Sequence, residues 1–135
     1  MEAKYVDSER PLSALTGKII GAAQDVHRTL GPGFRELVYQ RALALELDNR
    51  GIEATREVWI DVVYKGQKVG RHRVDFVVGD ASGSVMVEIK AKADLEDVHF
   101  IHTLSYLKAS GYQIGLLINF GARSLEVKRL INTGR

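Results

Sequence analysis

The first third of the chain has the hydrophobic spacing of two helices. From Leu12 to Leu30 apolar residues recur every three or four positions, which indicates an amphipathic helix. The Gly31-Pro32-Gly33 segment should end it, because proline lacks the amide hydrogen that a helix needs and glycine leaves the backbone unrestrained. A second helix is expected from Phe34 to Arg50, which is rich in helix-forming residues and is followed by Gly51.

The middle of the chain has the alternating pattern of β-strands. We predict a three-stranded antiparallel meander from Glu57 to Tyr64, Lys68 to Val78 and Val85 to Ala91, because each segment is rich in β-branched and aromatic residues. If Val78 pairs with Val85, the side chains of the last two strands divide between two faces. The core face should carry Val74, Phe76, Val78, Val85, Val87 and Ile89. The other face should carry Arg73, Asp75, Val77, Met86, Glu88 and Lys90.

The same register sets two acidic side chains against each other. Asp75 would lie directly opposite Glu88, and opposed side chains in a sheet are about 5 Å apart. At that distance two carboxylates repel each other by about 1 to 3 kcal/mol, for an effective dielectric between that of water and that of a protein surface. A positive group is therefore expected between them.

The rest of the chain returns to helical spacing and then to a strand. Leu95 to Ser110 is predicted to be a helix. Ile114 to Phe120 is a continuous apolar run, which predicts a central strand that is buried on both sides and reached through the preceding helix. Ser124 to Ile131 is expected to form a short closing helix.

Length and composition favour one domain. The 135 residues are 45% hydrophobic, enough for one core and too few for two typical domains. We predict a single α/β (α+β) domain at residues 12–131, between a flexible N-terminal segment at 1–11 and a frayed tail at 132–135. The net charge of +2 is weak, so nucleic-acid binding would need a local basic patch.

The amino-acid composition also limits the possible cellular compartment and the possible metal ligands. There is no cysteine, which excludes disulfides and thiolate metal sites and agrees with a reducing compartment. The charged start of the chain has no apolar run behind it that could be a signal sequence, and no stretch reaches the roughly 20 apolar residues of a membrane span. We therefore expect a soluble, cytoplasmic protein without a membrane partner.

Asp75, Glu88 and Lys90 have the chemistry of a site that hydrolyses phosphodiesters. Two carboxylates can hold Mg²⁺, or Mn²⁺ as a substitute, and leave coordination positions for waters and a phosphate. Lys90 would point to the same side as Glu88, where it could help activate a water or stabilise the phosphoryl oxygens. The alternative is a solvated sheet face on which Lys90 pairs with both acids, since such pairs are weak and common on surfaces.

Two helices carry further candidates. Glu36 begins the second helix one turn before Tyr39, although an acidic residue at that position could simply complement the helix dipole. His99, His102 and Tyr106 share one face of the later helix. Two histidines three residues apart could be metal ligands, but without a third ligand nearby they are more often surface or packing residues.

The segment GFRELVY, from Gly33 to Tyr39, matches the signature of the bacterial GxxExxY protein family, and the chain resembles that family from about Leu15 to Ile131. That family is similar to the PD-(D/E)XK nuclease superfamily. The resemblance implies a restriction-endonuclease-like core of a helix, a three-stranded antiparallel meander, a crossover helix and a fourth strand, flanked by extra helices. The hydrophobic pattern predicts the same order of elements.

The resemblance also implies roles for individual residues. Asp75 and Glu88 would bind the metal, and Lys90 would be the catalytic lysine. Glu36 would be the extra acidic residue of the first core helix, assisting the metal or a bound water, and Tyr39 would support it.

On the later helix, His102 and Tyr106 take the positions of a glutamine and a tyrosine that contribute to the site in nucleases of the helicase-associated exonuclease type. An imidazole can donate to a phosphate or shuttle a proton, but it cannot copy the donor and acceptor pair of an amide. Val74 precedes Asp75 where the superfamily pattern has proline, a common change because the aspartate does the chemistry.

We therefore expect a metal-dependent nuclease that hydrolyses nucleic-acid phosphodiesters, with DNA favoured over RNA as its partner. A homodimer would suit the cutting of both strands of a duplex. The alternative is a catalytically inactive nuclease-like module that binds nucleic acid or a protein partner, because a fold alone does not fix an activity.

Overall fold

The computed structural model describes residues 12–80 and 83–133, without the side chain of Asp80. The predicted flexible N-terminal segment at residues 1–11 lies outside the described residues. The described chain forms α1 (Ser13–Leu30), α2 (Glu36–Asn49), β1 (Ala54–Tyr64), β2 (Gln67–Asp80), β3 (Gly83–Lys90), α3 (Asp97–Ser110), β4 (Ile114–Asn119) and β5 (Glu126–Ile131).

The five strands form one sheet in the order β1-β2-β3-β4-β5. The three strands of the predicted meander pair antiparallel as β1, β2 and β3. Helix α3 then crosses over to β4, which runs parallel to β3. The predicted core of a helix, a meander, a crossover helix and a fourth strand is therefore confirmed.

Helices cover both faces of the sheet. Helices α1 and α2 pack on one face, where they form the larger core cluster with residues of β2, β3 and β4. Helix α3 packs on the other face, where Leu107 belongs to a smaller cluster with Ile60, Val74 and Met86. All six residues of β4 are buried between these two layers. No helix in the described part of the chain is both long enough and apolar enough to cross a membrane.

The closing helix predicted at Ser124 to Ile131 is wrong, because Glu126–Ile131 forms β5 antiparallel to β4. Without this strand, β4 would present a long apolar edge with unpaired backbone groups. Val127 packs against the larger core cluster and Leu130 against the smaller one. That distribution over two faces is what the alternating side chains of a strand provide.

Of the predicted frayed tail at residues 132–135, residues 134–135 lie outside the described residues. The backbone N–H of Asn132 donates to the Gln113 carbonyl at 2.8 Å. Its side-chain amide donates to the carbonyls of Leu107 at 3.2 Å and Tyr112 at 2.8 Å. Asn132 is therefore bound to the end of α3 and to the residues just before β4.

The predicted register between β2 and β3 is confirmed, since Val78 pairs with Val85. The predicted core face is wrong for Val74, which packs on the α3 side, whereas Phe76 and Val78 pack on the side of α1 and α2. The facing residue of β1, Glu57, has a φ of 57° and drops out of the β1–β2 ladder. The side chains of β2 change faces beside this irregularity, between Val74 and Phe76.

Replacing Gly121 with alanine should destabilise the fold. The added methyl group would overlap backbone atoms of Ala91 and Lys92, which cannot swing aside as a flexible side chain can. We expect the free energy of unfolding to fall by about 1 to 3 kcal/mol, measured by urea denaturation with circular dichroism.

Gly17→Ala is the matched control for this substitution. Gly17 lies inside α1 with open space where the methyl group would go. The same change there should raise the free energy of unfolding by about 0.5 to 1 kcal/mol, because alanine favours a helix over glycine. Equal effects of the two substitutions would contradict the steric argument.

Candidate active site

The pairing between β2 and β3 ends before either strand does. Its last pair is Phe76 with Val87, yet both strands continue beyond it. The strands therefore diverge and open a fork in the sheet. Asp75 and Glu88, the next residues in register, lie on the two sides of this fork.

Side chains replace the missing backbone pairing at the fork. The backbone N–H of Ile89 donates to Asp75 Oδ2 at 2.8 Å. The backbone N–H of Asp75 donates to Glu88 Oε1 at 3.3 Å. Each carboxylate thus accepts a hydrogen bond from the opposite strand, and the structure brings together the two acids that the sequence register placed opposite each other.

Helix α2 holds the Asp75 side of the fork. The Gln40 amide Nε2 donates to Asp75 Oδ1 at 2.7 Å, and Gln40 Oε1 accepts from an Arg56 guanidinium nitrogen at 2.7 Å. Gln40 is buried, so its amide has little freedom to turn away. The Arg56 bond fixes which end of the amide faces the carboxylate, and both Asp75 oxygens have protein donors.

An aromatic pair holds the Glu88 side. The His72 Nε2 atom lies 2.6 Å from Glu88 Oε2. The imidazole stacks on the Tyr106 ring of α3, with 4.2 Å between ring centroids and 17° between planes. His102, one turn before Tyr106, is exposed, and its charge acts on His72. Tyr106 therefore reaches the site by stacking on the histidine that bonds Glu88.

The fork favours uncharged forms of two of its groups. Burial raises the pKa of Glu88 to about 8, and the charge of Asp75 and a hydrogen bond to its carboxyl group add to the rise. Burial also lowers the pKa of His72, an effect that Asp75 opposes and that Lys90 and His102 reinforce. At neutral pH, a protonated Glu88 can therefore donate to a neutral imidazole.

Lys90 follows Glu88 by two residues on β3 and is half-buried. Its charge acts on both Glu88 and His72. Within residues 12–80 and 83–133 its ammonium group forms no ion pair, so it does not pair with both acids as the solvated-face alternative requires. The facing residue on β4, Asn119, accepts from the backbone N–H of Lys92 and donates to the Lys92 carbonyl, both at 2.9 Å. These bonds fix the chain that leaves the site.

Glu36 is the exposed first residue of α2 and lies one turn before Gln40. Residues four positions apart share a helix face, and Gln40 bonds Asp75. Glu36 therefore belongs to the face of α2 that borders the fork, and it lies at the N-terminal end of the helix.

Tyr39 is fully buried and bonds the loop before α2. Its hydroxyl donates to the Gly31 carbonyl and accepts from the backbone N–H of Phe34 at 3.2 Å. Its ring stacks on Phe120 at a centroid distance of 4.8 Å. The contacts of Tyr39 are thus with the loop that leads into α2, and through that loop it fixes where Glu36 begins the helix.

His99 has a structural partner. Its Nδ1 atom accepts the backbone N–H of Glu96 at 2.9 Å, and the Glu96 side chain accepts the backbone N–H of His99. This reciprocal cap satisfies two donors at the start of α3. It explains His99 without a metal.

The donor set at the fork fits a hard divalent cation. Asp75 and Glu88 supply carboxylate oxygens of the kind that Mg²⁺ and Mn²⁺ prefer. Burial raises the pKa of Glu88 and the charge of Asp75 adds to the rise, so a cation would offset the charge of an ionised Glu88. Among the described residues, no three or more acidic or histidine side chains are arranged to hold a metal. Water and phosphate oxygens would have to supply the remaining ligands of an ion held by the two carboxylates.

The residue pattern predicts no role for His72, Gln40 or Arg56. A helical period signals Gln40, because it lies four residues after Glu36. His72 carries no such signal, since strict alternation groups it with the apolar Val74 and away from Asp75. Only the change of faces in β2 brings His72 to Glu88.

Glu88→Gln should flatten the pH dependence of stability. The ordinary pKa of the group is 4.5, and the fold raises it to about 8. Between these values the folded protein retains a proton that the unfolded chain releases, so the stability from this group is complete below the lower value and is lost as pH rises through the upper one. The free energy of unfolding of the variant should therefore change less with pH over this window, measured by urea denaturation.

Glu53→Gln changes an exposed glutamate outside the fork and serves as the matched control. Unfolding curves of Glu88→Gln that depend on pH as steeply as those of the wild type would contradict the assignment of the proton to Glu88.

Comparison with known proteins identifies the fold family. A search of curated proteins finds no significant match. The chain is similar to a solved structure described as the crystal structure of SSO0001, with a TM-score of 0.54 and 18% sequence identity, over 70% of this chain and 49% of that chain. At that identity the likeness concerns the fold alone. The family model of the PD-(D/E)XK nuclease superfamily matches residues 13–130, so this chain belongs to that superfamily.

Proposed function

We propose that the protein hydrolyses phosphodiester bonds of nucleic acid with the help of a divalent metal at the fork. The observation that carries the proposal is the pair of carboxylates, Asp75 and Glu88, held by each other's strands with Lys90 two residues further along β3. Two acids and a lysine at one strand end suit an anionic substrate only if a cation offsets the acids. Superfamily membership supports the same reading.

Asp75 and Glu88 would hold Mg²⁺ or Mn²⁺. When bound, the ion would act as a Lewis acid on the phosphoryl group and lower the pKa of a coordinated water. Gln40 keeps the Asp75 carboxylate turned toward the fork through its 2.7 Å bond. The contact with His72 does the same for Glu88.

Lys90 is proposed as the catalytic lysine. Its ammonium group forms no ion pair with a residue of the described chain and is therefore available to a phosphoryl oxygen or to an attacking water. Glu36 would assist from the end of α2, by accepting a hydrogen bond from a metal-bound water. His102 is exposed beside the Tyr106 and His72 stack, where it can donate to a phosphate oxygen.

Divalent metal should stabilise the protein through Asp75 and Glu88. Mn²⁺ at ten times its dissociation constant should raise the unfolding free energy by about 1.4 kcal/mol, seen as a higher melting temperature, and calorimetric titration should detect the binding directly. Asp75→Asn should abolish both effects, because an amide is a weaker ligand and carries no charge. Asp48→Asn changes an exposed acid on α2 away from the fork and should retain both. Identical Mn²⁺ binding by the two variants would contradict the proposed ligand set.

Lys90→Ala should abolish cleavage while leaving metal binding in place. The assay incubates purified protein with plasmid DNA, single-stranded DNA or RNA in Mg²⁺ or Mn²⁺, and the loss should be at least about 100-fold because a group that stabilises transition-state charge is removed. Lys108→Ala, at the exposed last turn of α3, is the matched control and should cut as the wild type does. A wild type that cuts none of the three, or a Lys90→Ala protein that cuts equally well, would refute the nuclease proposal.

The second candidate function is a nuclease-like module that binds nucleic acid or a protein partner without cutting. It is favoured by the observation that, among the described residues, no three acidic or histidine side chains are arranged to hold a metal ion. Mn²⁺ binding that depends on Asp75, together with no cleavage of any substrate, would support this candidate. If instead Lys90 served only to neutralise the two acids, Lys90→Ala would lower the free energy of unfolding.

A further inference from the structure

Before Phe76, β2 pairs with β1 alone, so these parts of the two strands form a ribbon. We call residues 58–74 the arm. Its base packs on α3 through Ile60 and Val74. Its outer part is open to solvent, with Val63 58%, Tyr64 61% and Val69 62% exposed. The arm is the part of the described fold in which large apolar and aromatic side chains are exposed along a two-stranded ribbon.

The arm is more basic than the chain as a whole. Residues 59–73 contain four lysines and arginines and one acid, a net charge of +3 against +2 for the full sequence. The one acid is Asp61, whose carboxylate forms an ion pair with the Lys68 ammonium group at 3.2 Å. The remaining positive charge is therefore concentrated on Lys65, Arg71 and Arg73.

Arg71, Arg73 and Trp59 form a compact group that we call the Trp59 patch. The Arg71 guanidinium carbon lies 3.9 Å from the centroid of the indole, and that of Arg73 lies 5.4 Å from it. Trp59 remains 48% exposed. Neither arginine forms an ion pair with a residue in the described ranges. Both guanidinium groups are thus held by an aromatic ring and leave their N–H groups without an acidic partner.

The Trp59 patch lies beside the carboxylate pair. Ile60 and Val74 face α3, and side chains alternate along strands, so Trp59 and Arg73 face the opposite side of the sheet. That is the side of α2, whose Gln40 bonds Asp75. Arg73 precedes Asp75 by two residues on β2, so the patch adjoins the position in the strand at which the fork opens.

We propose that the Trp59 patch binds the phosphate backbone of duplex nucleic acid and holds it against the fork. The Arg71 guanidinium is held against the face of the indole and not by an acid, so its N–H groups remain available, and their forked geometry suits phosphate oxygens. A two-stranded ribbon also has the width to enter the major groove of a duplex. Because the contacts are with phosphates, binding should depend on salt and not on base sequence.

This inference rests on the proposed function, since the patch would hold the nucleic acid that the fork cuts, but it is tested without cutting. Trp59 is the single tryptophan of the chain, so intrinsic fluorescence reports on the patch directly. A mixed-sequence 20-base-pair DNA duplex is titrated into the full chain in EDTA, where no divalent metal supports cleavage. Tryptophan emission gives the location of binding, and the anisotropy of a labelled duplex gives its affinity as a function of salt.

The wild type should bind the duplex with a change in Trp59 emission, and the affinity should be equal for two unrelated sequences. Arg71→Ala and Arg73→Ala should each weaken binding about ten-fold and each reduce the slope of log affinity against log salt by about one. Arg71→Lys should keep the slope but lose affinity, because an ammonium group cannot lie flat on the ring. Trp59→Phe, followed by anisotropy, should bind more tightly than Trp59→Ala.

Arg28→Ala is the matched control. It removes one positive charge from an exposed arginine at the end of α1, whose partner Asp25 also pairs with Arg50. Thermal unfolding by circular dichroism confirms that each variant is folded, and an arm variant that unfolds is replaced by its Arg71→Lys or Trp59→Phe counterpart.

The outcomes separate this inference from the nuclease proposal. Binding that Arg71→Ala and Arg28→Ala weaken equally overturns the Trp59 patch, whether or not the protein cuts. No binding of the duplex, or a concentration-dependent dimer that forms through the arm in its place, also overturns it. Binding with the expected losses supports the patch even when the plasmid assay shows no cleavage, and in that case only the proposed hydrolysis fails.

Discussion

The structure depends on an exchange of hydrogen bonds at the point where two strands part. Asp75 and Glu88 each accept a backbone N–H from the opposite strand, so side-chain oxygens take over where the ladder stops. A fork in a sheet would otherwise leave backbone donors without partners, which is costly in a buried position. The two acids are therefore part of the sheet as well as candidates for chemistry, and the residues around them serve to keep them in place.

The same arrangement carries an electrostatic cost. Glu88 is buried next to another carboxyl group, and burial, reinforced by the charge of Asp75, raises its pKa to about 8. A proton relieves that cost in one state, and a divalent cation would relieve it in another. Layers on both sides of the sheet contribute: Gln40 comes from α2, and the stack of His72 on Tyr106 involves α3. The site is thus assembled by the sheet and both helical layers together.

Much of this could be predicted from the sequence. Hydrophobic spacing gave the order of elements and the pairing of Val78 with Val85, and that register was enough to bring Asp75 to Glu88. The change of faces in β2 could not be predicted, because it occurs where the β1–β2 ladder is interrupted and the β2–β3 ladder ends, and neither alters the pattern of residue types. His72 was missed for that reason. The closing strand was misread because short apolar spacing fits a helix and a strand equally well.

The double role of Asp75 determines what a substitution at this position would change. An asparagine at this position retains one oxygen, which can accept the Ile89 N–H, but it loses the charge and the hydrogen bond from the Gln40 amide. The hydrogen bond that joins the two strands would therefore outlast a change that removes the charge at the proposed metal site. On this scaffold one amide substitution would separate the proposed cutting from the sheet that carries it.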